Sequence, residues 1–130
     1  MWVLINSNIK NNIASKKLID SIPKEISMLL VEGGHTETRI EINYVKSVIN
    51  VHLFVEHNSI DFTAVIALLE NEEELKAKFD LPKMWFYIHD TCEIVDSKLF
   101  LECLNKEYTQ SYSLCKPPSM NIGIFLHNDF

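Results

Sequence analysis

Four short apolar runs punctuate the chain, from Trp2 to Ile5, Met28 to Val31, Val51 to Val55 and Trp85 to Ile88. Each is too short for a helix and rich in aromatic or β-branched residues, which predicts strands. Their apolar positions are near-continuous, as strands covered on both faces require, and that points to a parallel sheet. Arg39-Ile40-Glu41-Ile42-Asn43-Tyr44 alternates strictly and predicts a half-exposed strand or hairpin arm.

Helical stripes lie between these runs. Ala14, Leu18, Ile19 and Ile22 repeat at three-to-four spacing after Asn11-Asn12, and Pro23 stops them. Phe62, Val65, Ile66 and Leu69 begin a second helix after Ser59 or Asp61. The pairs Glu72 with Lys76 and Glu74 with Lys78 carry it to about Phe79. Asp96-Ser97 caps a third, with Phe100, Leu101, Leu104 and Tyr108 on one face. Strands alternating with helices predict an α/β fold, here a three-layer α/β/α arrangement around a mostly parallel central sheet with right-handed crossovers.

Composition narrows the picture. With 130 residues, 47% of them apolar, and no repeat or linker, residues 1–130 are expected to form one domain. Twelve basic against 18 acidic residues, a formal charge of -6, argue against nucleic acid as a partner. No uninterrupted apolar stretch approaches the roughly 20 residues a transmembrane helix needs. Met1 to Asn6 lacks the basic flank and cleavage site of a signal peptide, so a cytoplasmic location is expected. Cys92, Cys103 and Cys115 form no C-x-x-C pair and read as three reduced thiols.

In a parallel sheet the residues after each strand converge on one rim, where ligands bind. Ile5, Val31, Val55 and Ile88 should therefore finish side by side. Their successors are Asn6-Ser7-Asn8, Glu32-Gly33-Gly34-His35, Glu56-His57-Asn58-Ser59 and His89-Asp90-Thr91-Cys92-Glu93. All four tails are polar, and three carry both an acid and a histidine. Asp90, held at the end of a stiff buried run, is the sharpest candidate for metal or phosphate chemistry. Capping a turn is its plainer role. Glu32-Gly33-Gly34 would let backbone approach a flat ligand, with the carboxylate accepting from a base or ribose, although Gly-Gly is also an ordinary turn. Ser59 and Asp61 open a helix and are primarily good caps.

The order of elements, and the stretch from Trp85 through Val95 into Asp96-Ser97-Lys98-Leu99-Phe100, resemble the nucleotide-binding half of a GT-A type glycosyltransferase, the nucleotide-diphospho-sugar transferase fold. The resemblance covers roughly Met1 to Leu104 and rests on pattern, since Asp90 either takes the middle of a His89-Asp90-Thr91 triplet or is a first acid with Cys92 where the second of a D-x-D motif would be. It implies a protein that binds a nucleoside diphosphate sugar and transfers the sugar to an acceptor hydroxyl of a glycan, lipid or protein. Asn6, Glu32, Gly33, Asp61 and Asp90 would contact the nucleotide sugar, and Asp90 with Glu93 would hold Mn or Mg. An acid such as Glu56, or one not present in this chain, would act as base. The family's acceptor half would normally follow, and only Lys106 to Phe130 remain for it. A truncated chain, a minimal enzyme or lost catalysis is therefore expected.

Two other classes compete. His35, His57 and His89, each after a strand, could meet with Asp90 or Glu56 as a transition-metal site for hydrolysis. Alternatively the chain is a non-catalytic α/β module that contacts a partner through Trp2, Phe125 and Phe130.

Overall fold

The structure, a computed structural model, describes residues 1–116, 119 and 121–130; the pair Pro117-Pro118, and Met120 in the C-terminal stretch expected to form a closing strand, lie outside the described residues. The chain runs through β1 (Trp2–Asn8), α1 (Asn12–Ser21), β2 (Met28–Gly33), β3 (Arg39–Val45), β4 (Val48–Phe54), α2 (Thr63–Glu70) and α3 (Glu72–Lys78). It continues through β5 (Met84–His89), α4 (Ser97–Leu104), β6 (Tyr112–Ser113) and β7 (Ile122–Leu126). All strands join one seven-stranded sheet in the order β3-β4-β2-β1-β5-β7-β6.

The α/β class follows directly, but the sheet is mixed. β1 pairs in parallel with β2 and β5, and β2 in parallel with β4. The pairings of β3 with β4, β5 with β7 and β6 with β7 are antiparallel. Parallel order therefore holds only across the four central strands, and the sheet as a whole does not meet the expectation of a mostly parallel one. Chain length is one cause: Lys46-Ser47 alone connects β3 to β4, too little for a parallel crossover. Lys46 takes φ 60 there, as tight hairpin turns demand.

Alternation along the strands sorts their side chains into two apolar clusters. Leu4, Val31, Leu53 and Tyr87 pack toward α2 and α3 through Ala64, Leu68 and Leu75. Val3, Ile5, Leu30 and Ile88 pack toward α1 and α4 through Leu18, Ile22, Phe100 and Leu104. The link from β1 to β2 runs on the α1 face, and the jump from β4 back past β1 to β5 runs on the α2 face. Opposite directions on opposite faces give both crossovers the same hand.

Local chemistry explains the boundaries. α1 stops because Ile22, at ψ 132, takes the extended backbone that a following proline imposes. Asp96 caps α4 by accepting from Leu99 N at 2.9 Å. The helix expected to run unbroken to Phe79 is instead two. Asn71 leaves helical geometry, and its Nδ2 donates to Ala67 O at 2.8 Å, competing with the backbone ladder. The break turns Leu75 and Phe79 back into the core. Tyr108 lies beyond α4, its hydroxyl donating to Cys103 O.

No helix crosses from β2 to β4, because the β3 hairpin takes that place. The sheet beside α1 is left with a groove of about 430 Å³ bordered by Ile19, Ile22, Met28, Asn50 and His52. Among the described residues no helix is long and apolar enough to cross a membrane.

The close approach of β2 to the chain after β4 depends on Gly33. A Cβ there would sit 2.5 Å from His57 O and 2.8 Å from Thr63 Cγ2. Gly33→Ala is expected to lower unfolding free energy by ~1–3 kcal/mol in urea titrations, since backbone must move to admit the methyl.

Candidate functional site

The four parallel strands stand in the order β4-β2-β1-β5, so the chain moves one way from β1 and then reverses to its other side. In open α/β sheets such a reversal is where ligand crevices form outside the carboxyl ends of the strands, and here it falls between β1 and β5. In register, Ile5 lies level with Leu30 and Ile88, and Asn6 with Val31 and His89. Val31 pairs with Leu53, which puts Val55 two residues beyond the line the sequence suggested.

Strand alternation then divides the rim. Ser7, Asp90 and Glu32 point to the α1 face. Ser7 donates to Asp90 Oδ2 at 2.7 Å and touches the Ser15 hydroxyl of α1, which donates to Asn11 O at 3.1 Å. Asp90 is 4% exposed, and its backbone N–H donates to Asn6 O. Glu32 is the register partner of Ser7, so Glu32 and Asp90 flank β1 two strands apart, roughly 10 Å.

Both oxygens of Glu32 are engaged within the protein. His35 Nε2 meets Oε1 and His52 Nε2 meets Oε2, each at 3.0 Å. His52 stacks on Phe54 with ring centroids 3.8 Å apart, His35 meets the same ring edge-on at 4.8 Å, and the Arg39 guanidinium lies 4.0 Å from its centroid. Glu32 thus holds two imidazoles against one aromatic platform. Burial keeps the His52 pKa below its ordinary value. Glu32 and Glu41 favour its charged form, and His35 opposes it.

The remaining sequence candidates separate from this cluster. Asn6 faces α2: its Oδ1 accepts from Ala64 N at 2.7 Å and its Nδ2 donates to Ile60 O at 2.8 Å, so it fastens the start of that helix. Gly33 is packed against His57 and Thr63 on the same side. Asp61 lies there as well, 3.5 Å from His89 Nε2. Glu93 is on the surface in an ion pair with Lys17 at 3.2 Å.

A Mg- or Mn-type ion is held by one or two carboxylates turned toward it, substrate phosphates and waters completing its set of about six ligands. Asp90 is buried and held by Ser7, and Glu93 is paired with Lys17. Among the described residues no group of three or more His, Cys, Asp or Glu converges as a metal would need. The residues present do not fit the ion that the sequence resemblance implies. The histidine alternative meets the same obstacle, since His35 bonds to Glu32, His57 lies 3.6 Å from Glu70, and His89 sits on the α2 face beside Tyr87.

Ser15, His52, Phe54 and Arg39 escape a reading that looks only past strand ends. One signal was available: His52 and Phe54 share a face of β4, and a histidine inside an apolar run calls for a partner.

Two measurements check this geometry. Ser7→Ala removes the donor to a buried carboxylate and is expected to cost ~1–3 kcal/mol in chemical unfolding. The His52 resonance is expected to titrate below 6.5, and lower still in Glu32→Gln, which removes a carboxylate that favours the imidazolium. Because the folded pKa lies below the unfolded one, this histidine's contribution to stability is present above about 6.5 and declines as pH falls through the folded pKa. No family model, no curated protein and no solved structure matches the chain, so the functional reading rests on this arrangement of side chains.

Proposed function

We propose that the crevice between β1 and β5 binds a nucleoside diphosphate sugar, in the manner of the nucleotide-binding half of a three-layer GT-A type domain, and that the sugar passes to an acceptor hydroxyl. One observation carries this reading: the strand order reverses at the point where Ser7 and Asp90 meet, with Glu32 beside them on the same face. Asp90 Oδ1 would accept from a sugar hydroxyl. The platform of His35, His52, Phe54 and Arg39 offers stacking surface, and the Nδ1 atoms not turned to Glu32, to a base. The diphosphate would face the turn Ile9–Asn11 that follows β1, where Lys10 adds a charge. No step runs through a metal. Glu56, the base suggested by sequence, is exposed at the end of the β4 run.

A binding module without turnover is the second reading, and a specific observation favours it. Asn6 and both oxygens of Glu32 are already bonded inside the protein, which gives them structural work.

Thermal unfolding with UDP-, GDP- and CMP-sugars, each with Mn and with EDTA, tests the proposal. One donor is expected to raise the midpoint equally in both conditions, since ligand at 100 times its Kd adds about 2.7 kcal/mol. Asp90→Asn is expected to reduce the shift. A shift without sugar transfer to any hydroxyl acceptor would leave the binding module; no shift with any donor would overturn nucleotide-sugar binding altogether.

A further inference from the structure

A second cavity, of about 260 Å³, opens on the opposite face of the sheet from Asp90. α2 lies mainly over β1 and β2, and the cavity opens beside it, over β5 and β7. The cavity walls are aromatic: Tyr87 from β5, Phe125 from β7, Phe62 from the turn before α2, and Phe130 after the turn His127–Asp129. Tyr87 and Phe125 meet edge to face at 5.9 Å, and Phe125 and Phe130 at 5.8 Å. Asp61 and Asp129 also line it, and among the described residues no Lys, Arg or His does.

The polar atoms nearby leave little for a neutral or anionic guest. The Tyr87 hydroxyl donates to Asp61 O at 2.5 Å and receives the His89 Nε2 proton at 2.8 Å, so it offers the cavity only its ring. Its pKa is pushed far above the ordinary range by burial and by the charges of Asp61 and Asp90, which keeps the phenol neutral. Asp129 accepts from Ser111 Oγ through Oδ2. His127, near Phe130, accepts from Trp85 Nε1 at 3.0 Å through Nδ1 and donates to Glu72 through Nε2, which is the neutral ring's arrangement.

We propose that this cavity binds a small organic cation, a methylated ammonium group whose methyls meet the four rings while its charge faces Asp61 and Asp129. Aromatic faces attract cations through their quadrupoles, and a bulky alkylated ammonium gives up little hydration on entering an apolar cavity. An anion would meet two carboxylates without a counter-charge, and an uncharged guest would gain nothing from either. The proposal is independent of nucleotide-sugar binding, which uses the other face of the sheet.

Amide-resolved NMR titration of the intact chain with choline tests it, with 3,3-dimethylbutan-1-ol as the uncharged isostere. Choline is expected to give saturable shifts at Phe62, Val65 and Phe125, and to bind at least about tenfold more tightly than the alcohol. Asp61→Asn and Asp129→Asn should each weaken choline severalfold without altering the alcohol. Phe62→Leu, at a half-exposed position that tolerates exchange, should weaken it as well. Equal affinity for the two probes, shifts clustered elsewhere or no saturable shift would each overturn the proposal.

Discussion

The end of β1 is the constraint on which the rest of the molecule depends. This strand has a parallel neighbour on each edge and an apolar cluster on each face, so its last polar residues have no water to turn to. Asn6 and Ser7 must be bonded by protein, since a buried polar group without a partner costs more than a made hydrogen bond contributes. Their partners are the frame of the crevice. Asn6 fixes where α2 begins, and Ser7 ties α1, through Ser15, to Asp90 at the end of β5. Three elements, two of them distant in sequence, are thereby set by two adjacent side chains that point in opposite directions.

That opposition also explains why the rim is two sites and not one. Successive residues of a strand project to opposite faces. His89 and Asp90, neighbours in sequence, therefore serve different surroundings, one beside Tyr87 and Asp61 and the other beside Ser7. A reading that pools every polar residue after a strand merges groups that the sheet itself separates. The acid expected to help Asp90 hold a metal, Glu93, is drawn to the surface by Lys17.

Much of the fold was legible because its signals are local. The apolar runs mark the four parallel strands, the alternation of Arg39 to Tyr44 marks the hairpin arm, and Pro23 and Asp96 mark helix ends. The break at Asn71 was not legible, because Glu72/Lys76 and Glu74/Lys78 support helix equally on either side of it. Nor was the direction of β7, which the register of residues far apart in the chain decides. Within the site, Glu32 and Asp90 could be picked out as buried acids at strand ends. The histidine and serine partners that occupy them could not, since His52 lies in the middle of another strand and Ser15 on a helix.

The hairpin that replaces a crossover helix has an outcome for how the molecule comes apart. β3 touches the sheet only through β4, its far edge is open, and Glu41 and Lys46 are exposed on this arm. Charges on a bare margin oppose the docking of another strand there. With one neighbour and mostly exposed side chains, this arm has less to lose by detaching than the central strands, whereas the β1 region can open only when both clusters do. Fraying at that margin would widen the groove beside α1 and still leave Ser7 and Asp90 joined, so the protein can yield at one border without surrendering its crevice.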